Sequence, residues 1–156
     1  KRKSIWNIVI GGLAGSFATL AGSAAVNPII APEAIILSVI LFLWTPPHFW
    51  SLAMAIGDDY EKAGIPMLPN TLSNSLTTYI ILFHTIILVL VTALLMIYSS
   101  SLFYIFAIFI GGGYFIWTSI LLAIKKTKSA AMKNFFGSFV QLGLLLILII
   151  IDGIII

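Results

Sequence analysis

The sequence contains no cysteine. A disulfide scaffold, an iron–sulfur cluster and a thiolate-bound metal are therefore excluded. Charge is nearly as scarce: 8% of residues are Asp, Glu, Lys or Arg, against 61% hydrophobic, and the mean hydropathy is +1.17. Soluble domains carry about 25% charged residues. With so little polar surface available, lipid must be the solvent for most of this chain. The net charge of +3 raises nucleic acid as a partner. The basic residues are few, however, and lie between apolar runs, so nucleic-acid binding is set aside.

What the chain has is long apolar runs. A bilayer core takes about 20 apolar residues as a helix, and five stretches qualify: residues 5–26, 34–56, 75–98, 101–124 and 134–156. They are too long and uniform for the alternating strands of a barrel, so the predicted fold is all-α, a polytopic transmembrane helix bundle in one domain over 1–156. The connections fall at 27–33, 57–74, 99–100 and 125–133. The chain opens Lys1-Arg2-Lys3 without a Met, as expected of a piece of a longer protein. The following apolar run continues past Val26 with no soluble domain to deliver, so it reads as a span and not a signal peptide. Gly11, Gly12, Gly15 and Gly22, and Gly111-Gly112-Gly113, suit close helix packing within the bundle.

Threading the five spans alternately places all eight basic residues on one side: Lys1, Arg2, Lys3, Lys62, Lys125, Lys126, Lys128 and Lys133. The positive-inside rule makes that side cytoplasmic. The N-terminus and the 57–74 loop are then cytoplasmic, and the C-terminus lies outside a cell (inner) membrane.

Chemistry concentrates in WTPPHFWSLAMAIGDDYEKAGIPMLP, residues 44–69. The stretch holds three of the five acidic residues, one of two histidines and four of six prolines, more than packing alone explains. Asp58 and Asp59 belong at or beyond the interface, because a carboxylate at the bilayer centre costs about 2.5–3.5 kcal/mol. At the cytoplasmic end of a helix they oppose the dipole, so compensating positive charge is expected. Lys62 supplies part of it, and Mg²⁺ would do better, since it takes carboxylate oxygens together with substrate phosphates. A solvated acidic loop explains a bare doublet nearly as well. His48 shares a face with Asp59 if the helix runs through, and Pro46-Pro47 should kink or loosen that helix. An ionisable group beside such a break is a functional candidate, against the plainer reading of a histidine bonded to a neighbouring helix. Trp44, Phe49 and Trp50 suit bundle packing, or the lining of a pocket that stabilises a carbocation. His84 reads as a satisfied interior histidine, and Glu33 and Asp152 as interfacial.

Trp44-Thr45-Pro46-Pro47-His48-Phe49-Trp50, then Asp58-Asp59-Tyr60 and Ala63-Gly64-Ile65-Pro66-Met67-Leu68-Pro69, resembles the signature stretch of the protohaem IX farnesyltransferases (haem O synthases). These are UbiA-type intramembrane prenyltransferases. Asn7 to Gly12 with Ala14-Gly15, and Ala131-Met132-Lys133 with Asp152, extend the resemblance along the chain. It implies a nine-helix fold of which these are the last five helices. It implies transfer of a farnesyl group from farnesyl diphosphate to a vinyl group of protohaem, water addition completing haem O. Haem O serves terminal oxidases directly or through haem A, which suggests haem A synthase or terminal-oxidase assembly as partners alongside membrane lipid. Asp58 and Asp59 would be Mg²⁺–diphosphate ligands and Lys62 a diphosphate contact. His48 would be a haem-side residue, either iron ligand or proton-transfer group, with Trp50 at the same pocket. His48, Asp58 and Asp59 are the candidate catalytic set.

Two departures stand out. The family's first acidic motif, with its arginines, is absent from this sequence, so this chain alone is expected not to turn over. The motif present is a compact doublet, with Ala55 where an upstream acid would stand, so Asp58 and Asp59 need not contribute equally. Two other readings compete: a haem-binding redox subunit using His48 and His84 as axial ligands, and a prenyltransferase acting on an aromatic quinone precursor.

Overall fold

The computed structural model describes residues 4–98 and 101–155. Lys1, Arg2, Lys3 and the 99–100 connection lie outside them. The helices are α1 (Asn7–Val26), α2 (Pro32–Ala55), α3 (Gly57–Lys62), α4 (Leu68–Thr71), α5 (Asn74–Ala93), α6 (Leu102–Phe106), α7 (Gly113–Lys125) and α8 (Lys128–Ile155). A 3₁₀ turn, Leu94–Ile97, extends α5, and a π-helical stretch, Ala107–Gly112, joins α6 to α7. Among the described residues there is no strand. Five helical stretches are long and apolar enough to cross a membrane: Asn7–Val26, Pro32–Ala55, Asn74–Ile97, Leu102–Lys125 and Lys128–Ile155. The protein is a multi-pass membrane helix bundle.

The local chemistry accounts for the ends. Pro32 opens α2, where its missing N–H costs nothing. The Ser73 hydroxyl accepts from Leu76 N–H at 3.3 Å and caps α5. Pro46 and Pro47 sit inside α2, yet the helix continues to Ala55. It stops where Ile56 leaves helical geometry, at φ −123° and ψ 34°. The predicted helix running through from His48 to Asp59 is thus interrupted, and the two no longer share a continuous face.

Four of the predicted spans agree with the observed ones to within about two residues. The fifth begins at Lys128, not at residue 134. The predicted 125–133 connection shrinks to Lys126 and Thr127: Lys126 turns the chain in the left-handed region (φ 51°), and Thr127 Oγ1 accepts from Ala130 N–H at 3.2 Å. Lysines near a helix end are cheap in a membrane because their ammonium groups reach the interface. Charge therefore did not mark where α8 starts.

α2 lies at the centre, packed against α1, α5 and α8, with α7 closing against α5 and α8. One apolar cluster gathers Trp50, Met67, Ile81, Leu122 and Ala131 towards the α3 end of the bundle. Another gathers Ile40, Leu88, Phe115 and Leu145 towards the other. Between apolar side chains in lipid there is little hydrophobic drive to associate, so close approach and hydrogen bonds decide. A Cβ at Gly12 would stand 3.2 Å from the Thr45 Cβ, so α1 and α2 touch there. A Cβ at Gly137 would meet Thr118 Oγ1 at 2.6 Å, so α8 and α7 touch there. Gly11 and Gly15 have open space beside them, and that pair does not make the seam.

Beside the Gly137 seam runs a buried polar network. Asn134 Nδ2 donates to Ser51 Oγ (2.8 Å), and its Oδ1 accepts from Thr118 Oγ1 (2.8 Å) and Ser119 Oγ (2.9 Å). Ser119 Oγ lies 3.0 Å from Thr85 Oγ1. One amide thus links α2, α5, α7 and α8.

Candidate active site

The acidic doublet stands in the first turn of α3, with side chains exposed. The break at Ile56 changes its electrostatics. The carboxylates are not at the unfavourable C-terminus of one long helix. They open a new one, where the dipole favours negative charge. The compensating cation also comes from farther away than Lys62. Lys128, 70 residues on at the start of α8, donates from Nζ to Asp58 Oδ2 at 2.9 Å. The hydrogen bond and the charge of Lys128 hold the Asp58 carboxyl below its ordinary range, with Lys62 adding a smaller push in the same direction. The pair is exposed, so it orients α3 rather than stabilising the fold appreciably.

A polar cavity of about 240 Å³ opens beside this pair, lined by Asp58, Glu61, Asn70, Asn74, Lys126 and Lys128 among others. Asn70 Nδ2 donates to the Gly57 carbonyl at 3.1 Å, and Lys126 Nζ to Ser75 Oγ at 2.9 Å, which tie α3, α4, α5 and the α7–α8 turn around it. Asp59 and Lys62 do not line the cavity. Among the described residues, no three His, Cys, Asp or Glu side chains converge as a metal cage. Two neighbouring exposed carboxylates instead fit a hard ion held jointly with phosphate oxygens, which is how Mg²⁺ is usually bound.

A second, mostly apolar cavity of about 450 Å³ lies between α1, α2 and the segment from α3 to α4. Its walls include Ile8, Gly11, Ala14, Phe49, Ile65 and Met67, with Asn7, Thr45 and Tyr60 as polar points. Asn7 Nδ2 donates to the Pro66 carbonyl at 2.8 Å and pins the start of α1 to that segment. The volume lies in the range of small-molecule sites, about 300–1,000 Å³.

His48 is elsewhere, buried on the seam of α2 with α8. Its ring stacks on Trp44 with centroids 4.0 Å apart, and Phe135, Phe139 and Phe49 surround it at 4.5, 4.7 and 5.0 Å. Nδ1 lies 2.7 Å from Ser138 Oγ. Trp50, by contrast, is 1% exposed in the core, edge-on to His84 of α5 at 5.2 Å. His84 Nδ1 bonds to the carbonyl of Ile80 in its own helix, at 3.0 Å. His48 faces α8 and His84 faces Trp50, an arrangement that does not present them as a facing pair of axial ligands.

Sequence reasoning passed over Lys128, Ser138 and Asn134. Lys128 had counted only towards orientation. Ser138 and Asn134 are polar residues within or beside an apolar run, and their period along α8 (131, 134, 138, 141, 145 all buried) was the available signal.

The sequence profile of the UbiA prenyltransferase family matches residues 1–142. A Paramagnetospirillum magneticum protein named protoheme IX farnesyltransferase 2 is 51% identical over 152 residues, 97% of this chain and 53% of that protein. The same organism's protoheme IX farnesyltransferase 1 is 41% identical over 155 residues, 97% of this chain and 54% of its own length. A Polynucleobacter asymbioticus protoheme IX farnesyltransferase is 41% identical over 147 residues, 94% of this chain and 50% of its own. The chain spans about half the length of these curated relatives. No solved structure matches it.

Proposed function

The chain belongs to the UbiA prenyltransferase family, and on that premise we propose that it forms the C-terminal part of a protohaem IX farnesyltransferase. The observation that carries this reading is the identity of 41–51% across nearly the whole chain with relatives of that name. The reaction would join the farnesyl group of farnesyl diphosphate to a vinyl group of protohaem IX and add water, giving haem O. The proposed location is the cell membrane, with the N-terminus and the α3–α4 segment cytoplasmic. The lysines at 62, 125, 126, 128 and 133 support that orientation.

Asp58 and Asp59 are the proposed Mg²⁺ contacts, sharing the ion with the donor's diphosphate. When bound, Mg²⁺ neutralises the charge that builds on diphosphate as the allylic C–O bond breaks. Lys128 and Lys126 at the polar cavity, with Lys62 nearby on α3, add positive charge to the same end and hold the anion there. Asp58, held by Lys128, is placed to position this end of the site, while the Asp59 carboxylate makes no hydrogen bond or ion pair among the described residues and is the freer ligand. The apolar cavity beside Phe49 would take the hydrocarbon chain or the porphyrin, keeping water from the cation until bonding is complete. His48 and Trp44 form the proposed haem-side group. Trp50 packs between α2 and α5 against His84, apart from His48.

The test is haem O formation in membranes containing the intact protein, supplied with farnesyl diphosphate, protohaem and Mg²⁺. Product detected by mass, and lost on Asp59→Asn, supports the reading. Preference for aromatic quinone precursors over haem in competition overturns the acceptor. A haem spectrum without any Mg²⁺-dependent binding of farnesyl diphosphate overturns the enzyme class.

A further inference from the structure

Ser138 has one hydroxyl proton and two close polar neighbours. Its Oγ lies 2.6 Å from the Phe135 carbonyl oxygen and 2.7 Å from Nδ1 of His48. A carbonyl oxygen has no proton to give, so two oxygens this close need the hydroxyl proton between them. That proton is committed to Phe135, and a Ser138 lone pair is what faces His48. An imidazole nitrogen 2.7 Å from a lone pair carries a proton itself.

We infer that Ser138 is a positioning residue that holds His48 as its Nδ1–H tautomer and leaves the Nε2 lone pair free. Trp44 reinforces the arrangement: its indole N–H donates to the Ser138 backbone carbonyl at 2.9 Å, and its ring stacks on the imidazole. Two residues one turn apart on α2 are thus anchored to a single residue of α8. Nε2 makes no hydrogen bond among the described residues, and aromatic rings flank the imidazole on several sides. Such a lone pair can accept a proton or bind iron, whereas in an Nε2–H tautomer that nitrogen can do neither.

The inference rests on the farnesyltransferase reading for its use, though not for its truth. In that reaction the bond from the farnesyl carbon to the vinyl terminus leaves a cation on the neighbouring carbon, and diphosphate departs. Water then forms a C–O bond to that carbon and loses a proton. An electron-pair donor on the haem side serves this step directly by taking that proton, or serves binding by coordinating the iron.

The experiment is ¹⁵N NMR of the histidine-labelled intact protein, with the His48 signals assigned by their loss in His48→Gln. The expected spectrum has a protonated Nδ1 and an unprotonated Nε2. The reverse pattern in the unmutated protein overturns the inference, whatever any variant does. Ser138→Ala should mix the tautomers and lower kcat for haem O formation about 10–100-fold with KM for farnesyl diphosphate unchanged. Ser138→Thr, which keeps the hydroxyl, should restore both. A Ser138→Ala protein with unaltered His48 signals and unaltered kcat refutes the positioning role. A haem absorption band that shifts on binding and loses the shift in His48→Gln assigns the lone pair to iron; an unshifted band assigns it to the proton. If the intact protein makes no haem O at all, the functional reading fails while the NMR result still decides the tautomer.

Discussion

Nδ1 of His48 and Oγ of Ser138 stand 2.7 Å apart across the contact of α2 with α8, although 90 residues separate them in the chain. The serine that makes this bond also receives the Trp44 indole through its carbonyl. The most distinctive sequence of the chain, around Trp44 and His48, is therefore fixed in place by a residue that looks unremarkable in the sequence. The same division recurs at the acidic end, where Asp58 of the doublet is held by Lys128.

Removing Lys128 should release Asp58. Lys128 depresses the Asp58 carboxyl, so the pair is intact above the ordinary carboxylate range of about 3.9 and is lost as pH falls through the lower, folded value. In Lys128→Ala the Asp58 titration should move up towards that ordinary value. Carbon-13 NMR of the labelled carboxyl reads the shift, and an unmoved midpoint would show that Lys128 does not set it. Global stability should change little, because both side chains are largely exposed.

Asn134→Ala should cost about 2 kcal/mol, from three hydrogen bonds each worth roughly 0.6 kcal/mol in a membrane. Detergent or denaturant titration of the intact protein measures it. Asn134→Leu should be no better, since Thr118, Ser119 and Ser51 would face an apolar side chain.

Gly137→Ala should destabilise by about 1–3 kcal/mol, because its Cβ would stand 2.6 Å from Thr118 Oγ1 and push on the Asn134 network. Gly143→Ala meets nothing within 4 Å and should be neutral or slightly stabilising. Equal thermal midpoints for the two variants would contradict the close contact of α7 with α8.

The 156 residues expressed alone should form no haem O. The chain spans about half the length of its curated relatives. Product above background from this chain by itself would sink that expectation.

Much of this protein was legible in its residues. Each span is set by a local sum of transfer energies, so hydropathy alone located five helices, four to within about two residues. Residues 44–69 were long and particular enough to identify the family, and the acids of the proposed site lie within them. The tertiary structure decided the rest. The break at Ile56 moved Asp58 and Asp59 from the end of one helix to the start of another, reversing the dipole they feel. The partners Lys128 for Asp58, Ser138 for His48 and Asn134 for Ser51 depend on how α8 is rotated against α2. The rotation of α8 is set by where small residues let helices meet, as Gly137 does against Thr118 and Gly111 against the Gln141 backbone, and every turn of an apolar helix looks alike to lipid. Sequence thus determined which segments enter the membrane and what chemistry they carry, while packing determined which side chains meet.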